Sequence, residues 1–202
     1  MTTLIDQTDN EWITKYKQGD VSALAHLVEH YRKPLYAFIY NMLQGRGDAE
    51  EIFQEVWLRA IKNLKSYRDK NFPGWLFRIA HNLFIDRIRR ENRFVTPPDG
   101  EGQRNEPSAM ERFPSRDAAP DQQAAALDLG RRIREALTSL SDDQREVFLM
   151  RTEADLSFKE IAAIQNTSLN TALSRMHYAL QKLRPLLLED YHHLTGGPHH
   201  EP

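Results

Sequence analysis

The sequence predicts an all-α protein made of two small helical domains joined by a flexible linker. Two stretches, residues 10–95 and about 124–190, repeat apolar side chains at a spacing near 3.6 residues and contain few helix breakers. Between them, Thr96–Asp121 holds five of the ten prolines and only two large apolar residues. Such a segment buries too little apolar surface to offset the entropy of ordering it. We expect domains at 10–95 and 127–190, a proline-rich acidic linker at 96–126 and a flexible tail at 191–202.

Composition excludes several classes of protein. The 202 residues include no cysteine, which excludes disulfide scaffolds and cysteine-ligated metals. No apolar run approaches the roughly 18–20 residues of a membrane span, and the N-terminus lacks a signal-peptide pattern. We find no glycine-rich phosphate loop and no Ser/His/Asp series, and the histidine doublets at 192–193 and 199–200 lie in the polar tail. We therefore expect a cytoplasmic, non-enzymatic protein with no metal site, no cofactor and no insertion into a membrane.

The net charge of −2 is unevenly distributed along the chain. Residues 1–95 carry a balance of +3, residues 96–130 one of −4 and residues 131–202 one of −1. The excess acid therefore lies mainly in the linker, and residues 76–95 alone carry +3. A protein this close to neutral is expected to bind DNA poorly by itself.

The helices of the first domain are predicted in order. The first covers about Asn10–Lys17 and is followed by a helix from Asp20 through Glu29 and beyond. Pro34 suits the first turn of a further helix, because its missing N–H is tolerated there. Gly45 and Gly47 then interrupt the chain.

The next helix has the clearest pattern. Asp48 is a good N-cap, with Glu51 three residues later. One broad apolar stripe follows, which includes Trp57 and is expected to form core: Ile52, Phe53, Val56, Trp57, Ala60, Ile61 and Leu64. The opposite face is polar and is either a solvated surface or a docking face for a basic partner.

A loop at 67–75 mixes aromatic residues with Arg, Lys and Asn. That mixture suits single-stranded nucleic acid, since bases stack on rings while cations hold phosphates. It also suits a turn whose Phe72 and Trp75 pack on the core, and for Trp75 we expect that packing. The helix from Trp75 to about Arg93 would bury Leu76, Ile79, Ala80, Leu83 and Phe84 and direct Arg78, His81, Asn82, Ile85 and Arg89 away from them.

Two segments of this domain, DAEEIFQEVWLRA (Asp48–Ala60) and FPGWLFRIAHNLFIDRIRRENR (Phe72–Arg93), closely resemble region 2 of bacterial sigma factors, and most of all the small extracytoplasmic-function (ECF) type of the sigma-70 family. The resemblance implies that the first of these helices binds the β′ clamp of core RNA polymerase through Asp48, Glu51, Gln54, Glu55 and Arg59. It also implies that the loop and the helix after it open and read the promoter −10 element. The residues implied for the −10 element are Tyr67, Arg68, Lys70, Asn71, Phe72, Arg78, Asn82, Arg89 and Arg90.

The second domain contains three N-cap signals. A helix from Asp128 to Leu140 is followed by caps at Ser141 (with Gln144), Ser157 (with Glu160) and Ser168 (with Thr171). Asn166 and Thr167 form the turn before the last helix, and asparagine tolerates the left-handed conformation.

In the last helix, Ala172, Met176, Ala179, Leu180 and Leu183 should pack inward, and Asn170, Ser174, His177, Tyr178 and Gln181 should face outward. The pattern fits a helix-turn-helix and an ordinary helical hairpin equally well.

The segments ALTSLSDDQREVFLMR and LSFKEIAAIQNTSLNTALSRMHYALQKLR look like sigma region 4. This resemblance implies contact with the polymerase β flap and with the −35 element through Ser168, Asn170, Thr171, Ser174, Arg175, His177 and Tyr178. The sequence departs from the family pattern where Asn166 and Asn170 replace glycines and where Leu173 and Tyr178 replace common cations. Fewer cations mean fewer phosphate contacts, so we expect a weaker or atypical −35 preference.

The resemblance implies a sigma factor that works with core RNA polymerase and promoter DNA, with the acidic linker threading the polymerase channel. It also implies an anti-sigma factor that holds the protein inactive. Two alternatives remain from the residues alone. One is a helix-turn-helix regulator that acts without docking on polymerase, and the other is an adaptor that binds polymerase but not DNA. The first domain argues against the former, and Asn170, Ser174 and Arg175 argue against the latter.

Overall fold

The fold is built from helices. The computed structural model describes the backbone of residues 4–68, 71–93 and 130–195, with side chains at 8–68, 71–87 and 130–185. Every regular element in those ranges is an α-helix, which confirms the all-α prediction. None of them is long and apolar enough to cross a membrane. The helices are α1 Leu4–Lys17, α2 Val21–Leu43, α3 Ala49–Leu64, α4 Phe72–Arg93, α5 at 130–138, α6 Asp142–Glu153, α7 Phe158–Ile164 and α8 Leu169–Thr195.

We call α1–α4 the N-terminal unit and α5–α8 the C-terminal unit. The segment predicted as a linker at 96–126 lies outside the described residues. So does most of the predicted tail at 191–202, but α8 continues to Thr195, five residues into that segment.

Helix α2 is longer than the sequence predicted. Asp20 caps it, with its Oδ1 atom accepting from the backbone N–H of Ser22 at 2.9 Å. Pro34 lies in its interior, so the prediction that a new helix begins there is wrong. Proline removes one backbone hydrogen bond from a helix. The buried residues on both sides of it, Tyr31 and Leu35 among them, pack on the core and hold the helix through that point.

The core of the N-terminal unit lies between α2, α3 and α4. The Phe38 ring of α2 lies 5.1 Å from that of Phe77 and 6.1 Å from that of Phe84, both on α4. Trp57 on α3 is buried, as its place in the apolar stripe predicted. Helix α4 begins at Phe72, three residues before the predicted start, and Phe77 is a core residue that the sequence pattern did not single out.

In the C-terminal unit, a short turn joins α5 to α6. Arg145 is buried there, and its guanidinium donates to the carbonyls of Leu137 at 3.0 Å and Leu140 at 2.7 Å and to Asp142 Oδ1 at 2.8 Å. Burial lowers the pKa of Arg145, and the bond to Asp142 opposes that shift. Arg145 therefore ties the end of α5 to the start of α6.

The three predicted caps of this unit are present. Ser141 with Gln144 and Ser157 with Glu160 form complete capping boxes, and the Ser168 hydroxyl accepts from the Thr171 N–H at 3.0 Å. In α8 the inward positions are confirmed for Ala172, Met176, Ala179 and Leu183, but Leu180 is exposed. Leu180 lies at the edge of the apolar stripe, where no neighbouring helix among the described residues covers it.

The two units pack against each other. Helix α2 contacts α6, and α4 contacts α7. Arg46, in the loop after α2, lies 3.6 Å from the Asp142 carboxylate at the start of α6. This packing brings the N-terminal part of α4 next to the first helix of the predicted helix-turn-helix.

Candidate nucleic-acid interface

The outer face of α3 is acidic with an apolar centre. Asp48 is its N-cap and accepts from the Glu50 N–H at 2.8 Å. Glu51 and Gln54 are exposed, whereas Glu55 is half-buried and accepts from Arg59 Nε at 2.7 Å. All five residues implied for polymerase docking therefore lie on or at the cap of this one helix.

Leu58 is an apolar residue on the same face that the sequence analysis missed. It is 52% exposed and lines an open groove between α3 and α4, with Glu51, Gln54 and Glu55 on one side and Arg87 on the other. Its position in the sequence could have indicated this, because Leu58 is four residues from Gln54 and three from Glu55 and so lies on the same polar face. A single exposed leucine is common on protein surfaces, so Leu58 gains its interest from the polar residues of the same helix face.

The loop before α4 carries a cluster of aromatic rings. Tyr67 and Phe72 were predicted to contact DNA, but both are buried. The Tyr67 ring lies 5.8 Å from Phe72 and 4.9 Å from Trp75, and Phe72 lies 5.3 Å from Tyr31. Their apolar area is used to hold the loop against α2, so in this structure their faces are not open to bases.

The polar residues near these rings have different environments. Arg68, Arg78 and Asn82 are exposed. Asn71 is half-buried, and its side-chain oxygen accepts from the Gly74 N–H at 2.9 Å. Lys70 and the side chains of Arg89 and Arg90 lie outside the described residues.

Hydrogen bonds join this surface to the C-terminal unit. The Asn71 amide donates to Glu160 Oε1 at 2.5 Å. His81, predicted to face away from the core, is buried on α4 with its Nδ1 atom 2.7 Å from Glu146 Oε1 on α6. The other oxygen of Glu146 accepts from Gln165 Nε2 at 2.6 Å.

The network continues to α8. Arg175 donates to Gln165 Oε1 at 2.7 Å and also to Asp143. A continuous chain of polar contacts therefore runs from α4 through α6 to α8. Two residues predicted to touch DNA, Asn71 and Arg175, have partners within the protein in this conformation.

Helices α7 and α8 form a helix-turn-helix. Helix α7 ends at Ile164, and Asn166 adopts a left-handed conformation with φ 51° before Ser168 caps α8. Asparagine thus takes the conformation for which glycine is the usual residue. Asn170 lies within the first turn of α8, where helical geometry needs no glycine.

The outer face of α8 is exposed from its first residues. Asn170, Ser174, His177 and Tyr178 are exposed as predicted, and Thr171 is half-buried beside the cap. Leu169 and Leu173 are exposed on the same outer surface. In the sequence, Leu173 stands out only as a missing cation, and no pattern singles out Leu169.

Comparison with known proteins identifies both units. Residues 27–94 match the family model described as Sigma-70 region 2, and residues 130–183 match that described as Sigma-70, region 4. The ECF RNA polymerase sigma factor SigW of Bacillus subtilis is 33% identical over 177 residues, which cover 87% of this chain and 94% of SigW. The chain belongs to the ECF sigma factors.

Other ECF sigma factors are similar along most of their length. SigE of Mycolicibacterium smegmatis is 30% identical over 203 residues, covering 93% of this chain and 75% of SigE. The sigma factor RpoE from Bartonella quintana, solved in complex with the anti-sigma factor NepR, superposes with a TM-score of 0.64 at 26% identity and covers 83% of this chain and 98% of that one. CnrH, solved with the cytosolic domain of CnrY, has the same fold, with a TM-score of 0.60 at 23% identity over 91% of this chain and 99% of CnrH.

Proposed function

We propose that this ECF sigma factor divides promoter recognition between its two units, with α3 docking on core RNA polymerase, the α4 region contacting the −10 element and α8 contacting the −35 element. Like the other ECF sigma factors, the protein acts in promoter-specific transcription initiation through RNA polymerase. One observation supports this division. The part of the chain that matches region 2 carries an exposed acidic helix face, and the part that matches region 4 carries an exposed helix-turn-helix.

Docking on polymerase rests on the α3 face. Glu51 and Gln54 are exposed, Glu55 borders them, and Leu58 supplies apolar area in their midst. Charged and polar groups around a small apolar centre give orientation, while the apolar group contributes affinity. We assign this face, with Asp48 and Arg59 at its ends, to a basic surface of the β′ clamp.

Recognition of the −10 element is assigned to the exposed polar residues at the start of α4. Arg68, Arg78 and Asn82 can contact phosphates and base edges, and Lys70, Arg89 and Arg90 extend this set in sequence. Tyr67 and Phe72 are placed in a different role, since their burial supports the loop rather than a contact with bases. Asn71 becomes available once its bond to Glu160 breaks.

Recognition of the −35 element is assigned to the N-terminal half of α8. In a helix-turn-helix these residues face base edges in the major groove. Asn170, Ser174, His177 and Tyr178 are exposed for this, and Ser168 and Thr171 order the helix start, where N–H groups favour phosphate. Arg175 acts through Gln165 and Asp143 as a positioning residue, and the C-terminal unit also meets the β flap.

Further partners and location follow from this assignment. The relatives RpoE and CnrH were solved with NepR and CnrY, and we propose that an anti-sigma factor likewise binds this chain. The protein would work in the cytoplasm beside polymerase, with no reaction and no cofactor of its own. A regulator that acts without polymerase is not favoured, because residues 27–94 match region 2.

Reconstitution with core polymerase tests the proposal. Core enzyme plus the purified chain should produce transcripts from specific start sites on genomic DNA, and the variant Gln54→Ala with Glu55→Ala should lose core binding while staying folded. A matched control, Glu29→Ala with Arg32→Ala, removes an exposed ion pair on α2 and should bind core normally. Start sites that do not depend on the chain would overturn the function. Normal core binding by the α3 variant would overturn the docking face.

A further inference from the structure

The first two turns of α8 expose two leucines where polar residues are expected. Leu169 is 47% exposed and Leu173 is 43% exposed, whereas Leu183 farther along the helix is buried. Residues four apart in a helix lie on the same side, one turn above the other. Leu169 and Leu173 therefore form one apolar strip about a turn long, which we call the leucine strip.

The leucine strip lies within the surface assigned to the −35 element. Asn170 and Ser174 follow its two leucines directly, and His177 lies four residues beyond Leu173; all three are exposed. A helix-turn-helix places the N-terminal residues of its second helix against base edges. The two leucines thus lie in the part of α8 that this arrangement places against base edges.

Charge gives this surface little attraction for phosphate. Arg175 is the one Lys or Arg in residues 169–178, and its guanidinium is bound to Gln165 and Asp143. With few phosphate contacts from this stretch, discrimination between sequences falls to the groups that meet base edges. In the major groove, the apolar feature of a base edge is the C5-methyl group of thymine.

We propose that Leu169 and Leu173 read thymine C5-methyl groups in the −35 element, a specificity that rests on the proposed function of α8. The strip is too small for a protein partner of its own, because two side chains give far less area than a stable protein interface buries. It is closely bordered by polar side chains able to bond to bases. Two exposed leucines next to such polar side chains match the edge of thymine, where a methyl group lies beside the hydrogen-bonding atoms.

The test compares thymine with uracil, which lacks only that methyl group. Holoenzyme made from core polymerase and the full chain first selects promoters from a library randomised across the −35 element. The proposal expects thymine to be enriched at one or two positions. Deoxyuridine at such a position should then reduce wild-type open-complex formation about fourfold, the ratio that one buried methyl group corresponds to.

Variants assign the effect to the leucines. Leu173→Ala should respond equally to thymine and uracil at one position, and Leu169→Ala at the other if two are enriched. Both side chains are exposed, so alanine should leave the fold intact. Leu180→Ala is the matched control, because Leu180 is 48% exposed on α8 but lies seven residues beyond Leu173, and it should keep the wild-type discrimination.

Each outcome bears on the proposal. An absence of thymine enrichment, equal wild-type output on thymine and uracil, or discrimination that survives both leucine substitutions would overturn methyl readout while leaving sigma activity standing. The last of these is also the result expected if the strip serves a protein partner. If the chain supports no promoter-specific transcript at all, the proposed function and this inference both fail.

Discussion

His81 on α4 and Glu146 on α6 form a buried contact between the two units, with 2.7 Å between the imidazole Nδ1 and the carboxylate. Gln165 occupies the second oxygen of Glu146. The pair ties the helix assigned to the −10 element to the unit assigned to the −35 element. Both side chains are buried, so the loss of one leaves the polar group of the other without this partner.

The first prediction concerns the coupling of this pair. His81→Ala and Glu146→Ala should each destabilise the protein, and the double variant should be less destabilised than their sum, because each single change leaves the remaining partner without this contact. Urea unfolding should give a coupling free energy of about 0.5–3 kcal/mol. The exposed pair Arg131–Glu135 is the control and should couple by less than about 0.5 kcal/mol. Additive effects of His81 and Glu146 would contradict the contact.

The second prediction concerns Arg145, which holds two carbonyls and a carboxylate. Lysine is also cationic but has one nitrogen in place of three, so Arg145→Lys leaves buried carbonyls without a donor. We expect a loss of about 1–3 kcal/mol in the free energy of unfolding, measured with urea. Arg131→Lys, at an exposed arginine on α5, should change it by less than about 0.5 kcal/mol. Equal effects of the two substitutions would exclude the role assigned to Arg145.

The third prediction separates the size of Trp57 from its indole N–H. The ring is buried, and its Nε1 atom has no hydrogen-bond partner among the described residues. Trp57→Ala should cost about 3–5 kcal/mol through the cavity that it leaves. Trp57→Phe should cost much less, since it keeps most of the apolar area and removes the unsatisfied donor. Thermal or urea unfolding measures both, and a loss as large for phenylalanine as for alanine would show that the N–H is bonded.

The fourth prediction is a pH dependence at Glu153. This residue ends α6 and lines a largely apolar groove with Tyr36, Tyr40 and Ile133, and burial raises the pKa of its carboxyl group. The folded state therefore holds this proton more tightly than the unfolded state does. The contribution of Glu153 to stability consequently falls as pH rises from the ordinary glutamate pKa through the raised one.

Glu153→Gln removes that penalty. The variant should be more stable than the wild type at pH 7, and the difference should shrink as pH falls below the ordinary glutamate pKa, where both carry an uncharged side chain. Melting temperatures at a series of pH values check this. Glu51→Gln, at an exposed position of α3, serves as the control. A gain from Glu153→Gln that is the same at every pH would point to packing in place of charge.

Local features of this protein could be predicted from sequence because their causes are local. The capping boxes at Ser141 and Ser157, the left-handed Asn166 and the N-cap Asp48 each involve atoms within a few residues of one another. The membership of the ECF family was predictable for a related reason. Ordered motifs over two long segments preserve both the core positions and the polar faces that the family uses.

What the tertiary structure decided concerns side chains whose surroundings come from distant parts of the chain. His81 was predicted to face outward from α4, but it is buried in the folded protein and contacts Glu146, 65 residues away. Tyr67 and Phe72 were predicted to contact DNA, but in the folded protein their rings pack against Tyr31 and Trp75. Helical periodicity gives the direction in which a side chain points. Whether it meets solvent, core or another unit depends on which helices pack there, and packing joins residues that sequence spacing does not.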